Sequence, residues 1–208
     1  MLAVLDGGTY YHHETIHGPR YRGLFDRVLY APELTPAALR DIAVLIVPDR
    51  MSPLLLHRHR DLLLGHLARG RTLVVLGENE PQSWIPGVIW SPRPTNFWWW
   101  LEKGAVPPHR FPRPDHEFFR HVAPGDTVWH FHGVLTPPAG AETLVAVPAD
   151  PEGRDAGGAL FYDDRSTTPG RLMLATLDPF YHHGSHFMPA TTRFLDGFLP
   201  WMRDLARA

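Results

Sequence analysis

Apolar positions divide the chain into two halves of different pattern. Leu2 to Leu5 is a short apolar run that breaks at Asp6-Gly7-Gly8, and Arg27 to Tyr30 is a second strand candidate. Ile42 to Val47 (IAVLIV) is continuous and β-branched, the pattern of a parallel strand covered on both faces. Ser52 then offers an N-cap with Pro53 at the first helical position, predicting a helix to Arg69 that stops at Gly70. Thr72 to Leu76 (TLVVL) follows at once. A strand, helix and strand joined this tightly predict a right-handed parallel crossover.

The second half changes period. Residues 81–114 are dense in proline, hold five of the seven tryptophans and show little regular pattern. Asp115 to His121 reads as a short helix, and strands are predicted at Thr127–His132, Thr143–Val147, Ala159–Tyr162 and Arg171–Thr176. Turn-rich stretches (PPAG, DPEGRDAGG, DRSTTPG) separate them, so the last three predict an antiparallel excursion returning to the main sheet. From Ala190 to Ala206, Phe194, Leu195, Phe198, Trp201, Met202 and Leu205 fall at helical spacing. The expectation is one α/β domain over residues 1–208, with a mostly parallel sheet and helices on both faces.

Composition narrows the function classes. With 208 residues, 44% hydrophobic and 20% charged, the chain can bury one sizeable core. A net charge of −2 carries no basic footprint for nucleic acid, and His57-Arg58-His59-Arg60 reads as a solvated helix face. No apolar stretch is long enough to span a bilayer, and MLAVLDGG lacks the pattern of a signal peptide. A cytoplasmic location is expected. The absence of cysteine excludes disulfides, thiolate metal ligands and thiolate nucleophiles.

In open α/β sheets, ligands bind beyond the carboxyl ends of the strands. Four polar segments leave those ends: GGTYYHHETIHG, PDRMSP, GENEP and LDPFYHHGSHF. They nominate Gly8, Tyr10, His13, Asn79, Asp178 and His183 as ligand-binding residues. Six of the fourteen histidines fall in the first and last of these segments. Combined with Glu14, Glu78 or Asp178 they offer donor types suited to zinc, manganese or iron, with His12, His17 and His186 as weak candidates. Their spacing matches no motif of fixed geometry, so a role as ligand-binding or loop-satisfying histidines is favoured over metal, and no cofactor is named. His130 and His132, two apart on a predicted strand, point the same way; they either extend the pocket or lie on a half-buried sheet face.

Glu78 is a candidate general base or carboxylate nucleophile, with His182 or His183 as its proton partner. The competing reading is a cap on the helix that follows. Four consecutive aromatics, Phe97 to Trp100, predict at least one ring facing away from the core. Trp98, with Asn96 beside it, would supply a stacking platform and an orienting hydrogen bond for a polar ligand; burial against a second subunit is the competing reading, and implies a homo-oligomer.

Three segments, IAVLIVPD, LARGRTLVVLGEN and GRLMLATLDPFYHHGSHFMPATTRFLDGFLPWM, resemble the class I glutamine amidotransferase-like superfamily, and within it the trehalose-utilisation (ThuA-like) proteins. The resemblance implies a flavodoxin-like fold with its pocket at the turn after TLVVL, where relatives with glutaminase activity carry a nucleophilic cysteine. Here Glu78 stands at that turn and the His-Pro-Glu element of glutaminases is not seen, so the resemblance implies a non-glutaminase member. Three functions follow as expectations: binding of a sugar- or nucleotide-like polar molecule, hydrolysis by Glu78 and a loop histidine with possible metal assistance, or an interaction subunit of a complex.

Overall fold

The structure is a computed structural model that describes residues 1–93, 103–104, 106–149, 153 and 157–208. Asn96 and Trp98 lie outside these residues. Among the described residues nine strands form one sheet in the order β2-β1-β3-β4-β9-β8-β6-β5, with β7 pairing to β8. Five strands are mutually parallel: β1 (Leu2–Asp6), β2 (Arg27–Tyr30), β3 (Val44–Val47), β4 (Thr72–Leu76) and β9 (Arg171–Ala175). The other four, β5 (Ile89–Pro92), β6 (Gly133–Thr136), β7 (Glu142–Val147) and β8 (Gly158–Asp164), pair antiparallel. The antiparallel part is thus larger than expected, because β5 was not legible in the proline-dense stretch.

Strand alternation builds two cores. Leu2, Val4, Val44, Ile46, Val74, Leu76, Met173 and Ala175 face one side, and Ala3, Leu5, Leu45, Val47, Leu73, Val75, Leu172 and Leu174 the other. The first face is covered by α1 (Tyr10–His17), α5 (Pro179–Gly184) and α6 (Pro189–Leu205), through Ile16, Phe180, Phe194, Leu195, Phe198 and Trp201. The second is covered by α2 (Pro53–Arg58), α3 (Arg60–Ala68) and α4 (Pro81–Trp84), through Leu56, Leu63, Leu67 and Trp84. Removing a ring such as Phe198, fully buried and stacked on Phe194, would cost about 3–5 kcal/mol.

Several expectations need correction. GGTYYHHETIHG is not a loop: the Thr9 hydroxyl accepts from the His12 amide and caps α1, which buries His12, Thr15 and Ile16 on one face. The helix expected over residues 53–69 breaks at His59, so the His57–Arg60 run is no uniform solvated face; His59 itself is buried. Residues 128–132 are not a strand: a 3-10 turn at Pro124–Thr127 precedes them, and pairing starts only at Gly133. LDPFYHHGSHF likewise contains a helix, α5, in place of a loop. No helix among the described residues is long and apolar enough to cross a membrane.

Candidate functional site at the carboxyl ends of the parallel strands

Topology opens a crevice beside β4. The chain leaves β4 for the far edge of the sheet and returns through β8 to β9, which lies next to β4. The segments following these two neighbouring strands therefore part. Between them lies a cavity of about 340 Å³ lined by Gly77, Glu78, Glu80, Gln82, Trp90, His132 and Thr176, among others. Gly133 is required at its wall, since a Cβ there would run into the Trp90 indole.

Gly77 begins the turn at φ +65°, and a Cβ on it would collide with Asp49 and crowd Asp178. That close approach lets β3, β4 and β9 deliver their trailing residues to one place. Asn79 locks it. Its Oδ1 accepts from the Met51 amide at 2.7 Å, and its Nδ2 donates to the carbonyls of Pro48 (2.7 Å) and Leu76 (2.8 Å). The Asn79 carbonyl accepts from the Trp84 indole at 3.0 Å. Asn79 is completely buried, and its amide is occupied in stapling the β3 and β4 turns. It does not line the cavity.

Asp49 and Asp178 pack against Gly77, buried behind the cavity lining. The fully buried Asp49 carboxylate accepts from the amides of Phe180 (2.7 Å) and Tyr181 (2.9 Å), capping α5 from a different loop. Burial, and secondarily the charge of Asp178, push its carboxyl well above the usual range, against the pull of those amides and Arg50. Burial also works to raise Asp178, but the hydrogen bond and charge of His182, with His130 and Arg50, outweigh it and hold that carboxyl low. Asp178 therefore carries the negative charge of the pair. Its Oδ1 accepts from the Trp129 indole at 3.3 Å, and its Oδ2 from Arg50 at 3.2 Å.

From Asp178 a chain of contacts leads to the cavity. His182 Nε2 lies 3.2 Å from Asp178 Oδ1 and 3.0 Å from His130 Nε2. The His130 and His132 rings meet edge to face at 5.4 Å, and His132 Nε2 lies 3.2 Å from Glu78 Oε1. Arg50 closes the circuit, 3.7 Å from Glu78 Oε2 and with its guanidinium 3.8 Å from the Tyr181 ring centroid. Burial pulls His130 down to about 4, so it is neutral at physiological pH. Arg50 adopts φ +56°, a conformation that costs a non-glycine residue of order 1 kcal/mol and is held here by its partners.

The proton partner expected for Glu78 changes accordingly: His132 contacts it, while His182 lies two histidines deeper. His183 points elsewhere, to the Thr192 hydroxyl at 2.8 Å, in a shallow hollow with Arg20 and Asp196. The three weak metal candidates do not converge. His12 is buried with Nε2 2.8 Å from the Asp49 carbonyl, His17 pairs with Asp6 at 3.0 Å, and His186 lies 3.8 Å from Glu14. Gly8, at φ +76°, donates to Asp6 and lies against Tyr30; Tyr10 is exposed, and the His13 ring packs at a tilt against His17. None of these lines the cavity. Asp49, Arg50, Trp90 and Thr176 were not singled out in the sequence. For the first two the signal was there, an Asp-Arg pair directly after a buried strand.

No protein-family model matches the chain, and no curated protein matches it. Among solved structures it is similar to one described as "mmIFT52 N-terminal domain", at 12% identity and a TM-score of 0.58. The superposition covers 98% of this chain and 97% of that one. At this identity the likeness concerns the α/β fold alone.

Proposed function

We propose that the chain is a flavodoxin-like, non-glutaminase relative of the class I glutamine amidotransferase-like proteins that binds a polar small molecule at the carboxyl ends of its strands. The strand order β2-β1-β3-β4-β9 supports the fold reading, since it repeats the 2-1-3-4-5 order of doubly wound sheets. The observation that carries the function is the cavity itself. Its volume suits a sugar or a nucleoside, and it combines one large aromatic wall, Trp90, with hydrogen-bonding groups on Glu78, Gln82, His132 and Thr176. The missing thiol removes the glutaminase step and leaves the pocket.

A thermal-shift screen of monosaccharides, nucleosides and nucleotides tests this reading. A hit should weaken at least ~10-fold in Trp90→Ala and in Glu78→Gln, a loss of about 1.4 kcal/mol. Hits that bind both variants like the wild type would place the ligand elsewhere.

One observation favours a hydrolytic reading as well. Glu78 and His132 form a contact pair at the cavity wall, and the histidines behind it lead to a charged, buried aspartate. That arrangement gives Glu78 the surroundings of a general base acting on water. Turnover of a bound ligand that disappears in Glu78→Gln would select it. A homo-oligomer remains part of the proposal, and the oligomeric mass of wild type and Trp98→Ala would test it.

A further inference from the structure

We infer that His130, His132 and Asp178 form a binding site for one divalent transition-metal ion, zinc being the ion to test first. One ligand atom from each of the three lies within 4.8 Å of the others. Two imidazoles and one carboxylate suit zinc, iron or manganese, whereas calcium and magnesium select oxygen donors. The three come from two separate segments, the stretch before β6 and the turn after β9, which the antiparallel excursion brings back side by side.

Further features fit a metal centre. Among the described residues Asp178 accepts from Arg50 and Trp129 and lies 3.2 Å from His182 Nε2, three contacts for about four lone-pair positions, which leaves a place for a cation. Those same donors would fix the carboxylate's orientation around an ion. Glu78, 3.2 Å from His132, stands beside the site on its cavity side and could complete the donor set. His132 and Glu78 both line the cavity, so an ion held here would lie behind the cavity wall with one of its ligands in it.

A second cluster, His116, Glu117 and Asp163, has comparable donor spacing and fails on charge. There both carboxylates, Asp163 and Glu117, already pair with two guanidiniums, Arg165 and Arg171. In the first cluster the carboxylate, Asp178, pairs with one guanidinium among the described residues, Arg50.

The inference deepens the cavity reading, and rests on it only for what the ion would meet on its open side. The experiment is titration of untagged, chelator-dialysed protein with Zn²⁺ by calorimetry and with Co²⁺ by visible absorption, without any organic ligand. One equivalent should bind, with the visible bands of a low-symmetry nitrogen–oxygen site for Co²⁺. His132→Ala, at a partly exposed position, should weaken binding at least ~100-fold, as should Asp178→Asn, while His186→Ala should bind like wild type. Absence of saturable binding, or wild-type affinity in His132→Ala, would overturn the site. So would loss of binding in His186→Ala. Small-molecule binding measured on the chelated protein separates the two readings: hits retained without metal binding would leave the cavity standing and remove the ion.

Discussion

Replacing Asn79 by alanine tests whether the turns after β3 and β4 are held together as the structure describes. The side chain makes three hydrogen bonds of 2.7–2.8 Å at a fully buried position. Alanine leaves the Met51 amide and the Pro48 and Leu76 carbonyls without these partners. A buried polar group left unsatisfied costs roughly 1–3 kcal/mol, and water entering the vacated space recovers part of it. The expected loss is therefore about 3 kcal/mol, a large share of the roughly 5–15 kcal/mol that stabilises a typical domain. Urea denaturation followed by tryptophan fluorescence reads it as a lower midpoint at unchanged slope. Asn79→Asp provides a sharper control. It keeps the acceptor for Met51 but turns the donor into an oxygen facing two carbonyls, so it should destabilise nearly as much although its volume is unchanged. A loss below about 1 kcal/mol for Asn79→Ala would refute the staple and return Asn79 to the pool of ligand contacts.

Other outcomes follow from the same geometry. Gly77→Ala combines a positive φ with a collision against Asp49 and should cost about 2–4 kcal/mol by denaturation, with disturbed binding in the cavity. His66 and His109 are buried and pulled down to about 4, mainly by desolvation. The unfolded chain protonates them near pH 6.5 while the folded one does not, so stability should fall as pH drops from about 6.5 towards 4, by at most roughly 3 kcal/mol for each. His66→Gln should flatten that part of the melting-temperature profile; an unchanged profile would count against the burial argument. Arg171 bonds Asp163 and Glu117 and packs over Trp201. Arg171→Met should destabilise by about 1–3 kcal/mol in thermal denaturation, because the buried Asp163 then keeps only Arg165 and His116 beside it.

The parallel half was legible because its strands are apolar on both faces. IAVLIV and TLVVL need no alternation when helices cover both sides, and the aromatic spacing of the last helix fixed its buried face. Less was visible where histidine did the work of another residue type. In α1, His12 occupies a core position, so Thr9 as N-cap and the burial of positions 12, 15 and 16 were hidden in a polar-looking segment. Residues 128–132 alternate like a strand, yet the pairing register begins at Gly133, and so His130 and His132 sit in the site instead of along a sheet face. The rim segments after β3, β4 and β9 converge as the general rule for open sheets predicts. The individual roles did not follow from that rule. Whether Asn79 staples or binds, and whether His182 or His132 meets Glu78, depends on side-chain directions that long-range packing decides.

The central claim is that the cavity between the β4 and β9 turns binds a polar small molecule. The most direct measurement is calorimetric titration of the best hit from the sugar and nucleotide panel into wild type, Trp90→Ala and His183→Ala. The account predicts saturable one-to-one binding to wild type, at least ~10-fold weaker binding to Trp90→Ala, and unchanged binding to His183→Ala, whose side chain faces the other hollow. Binding that survives in Trp90→Ala and collapses in His183→Ala would contradict it and move the ligand to the hollow beside Arg20.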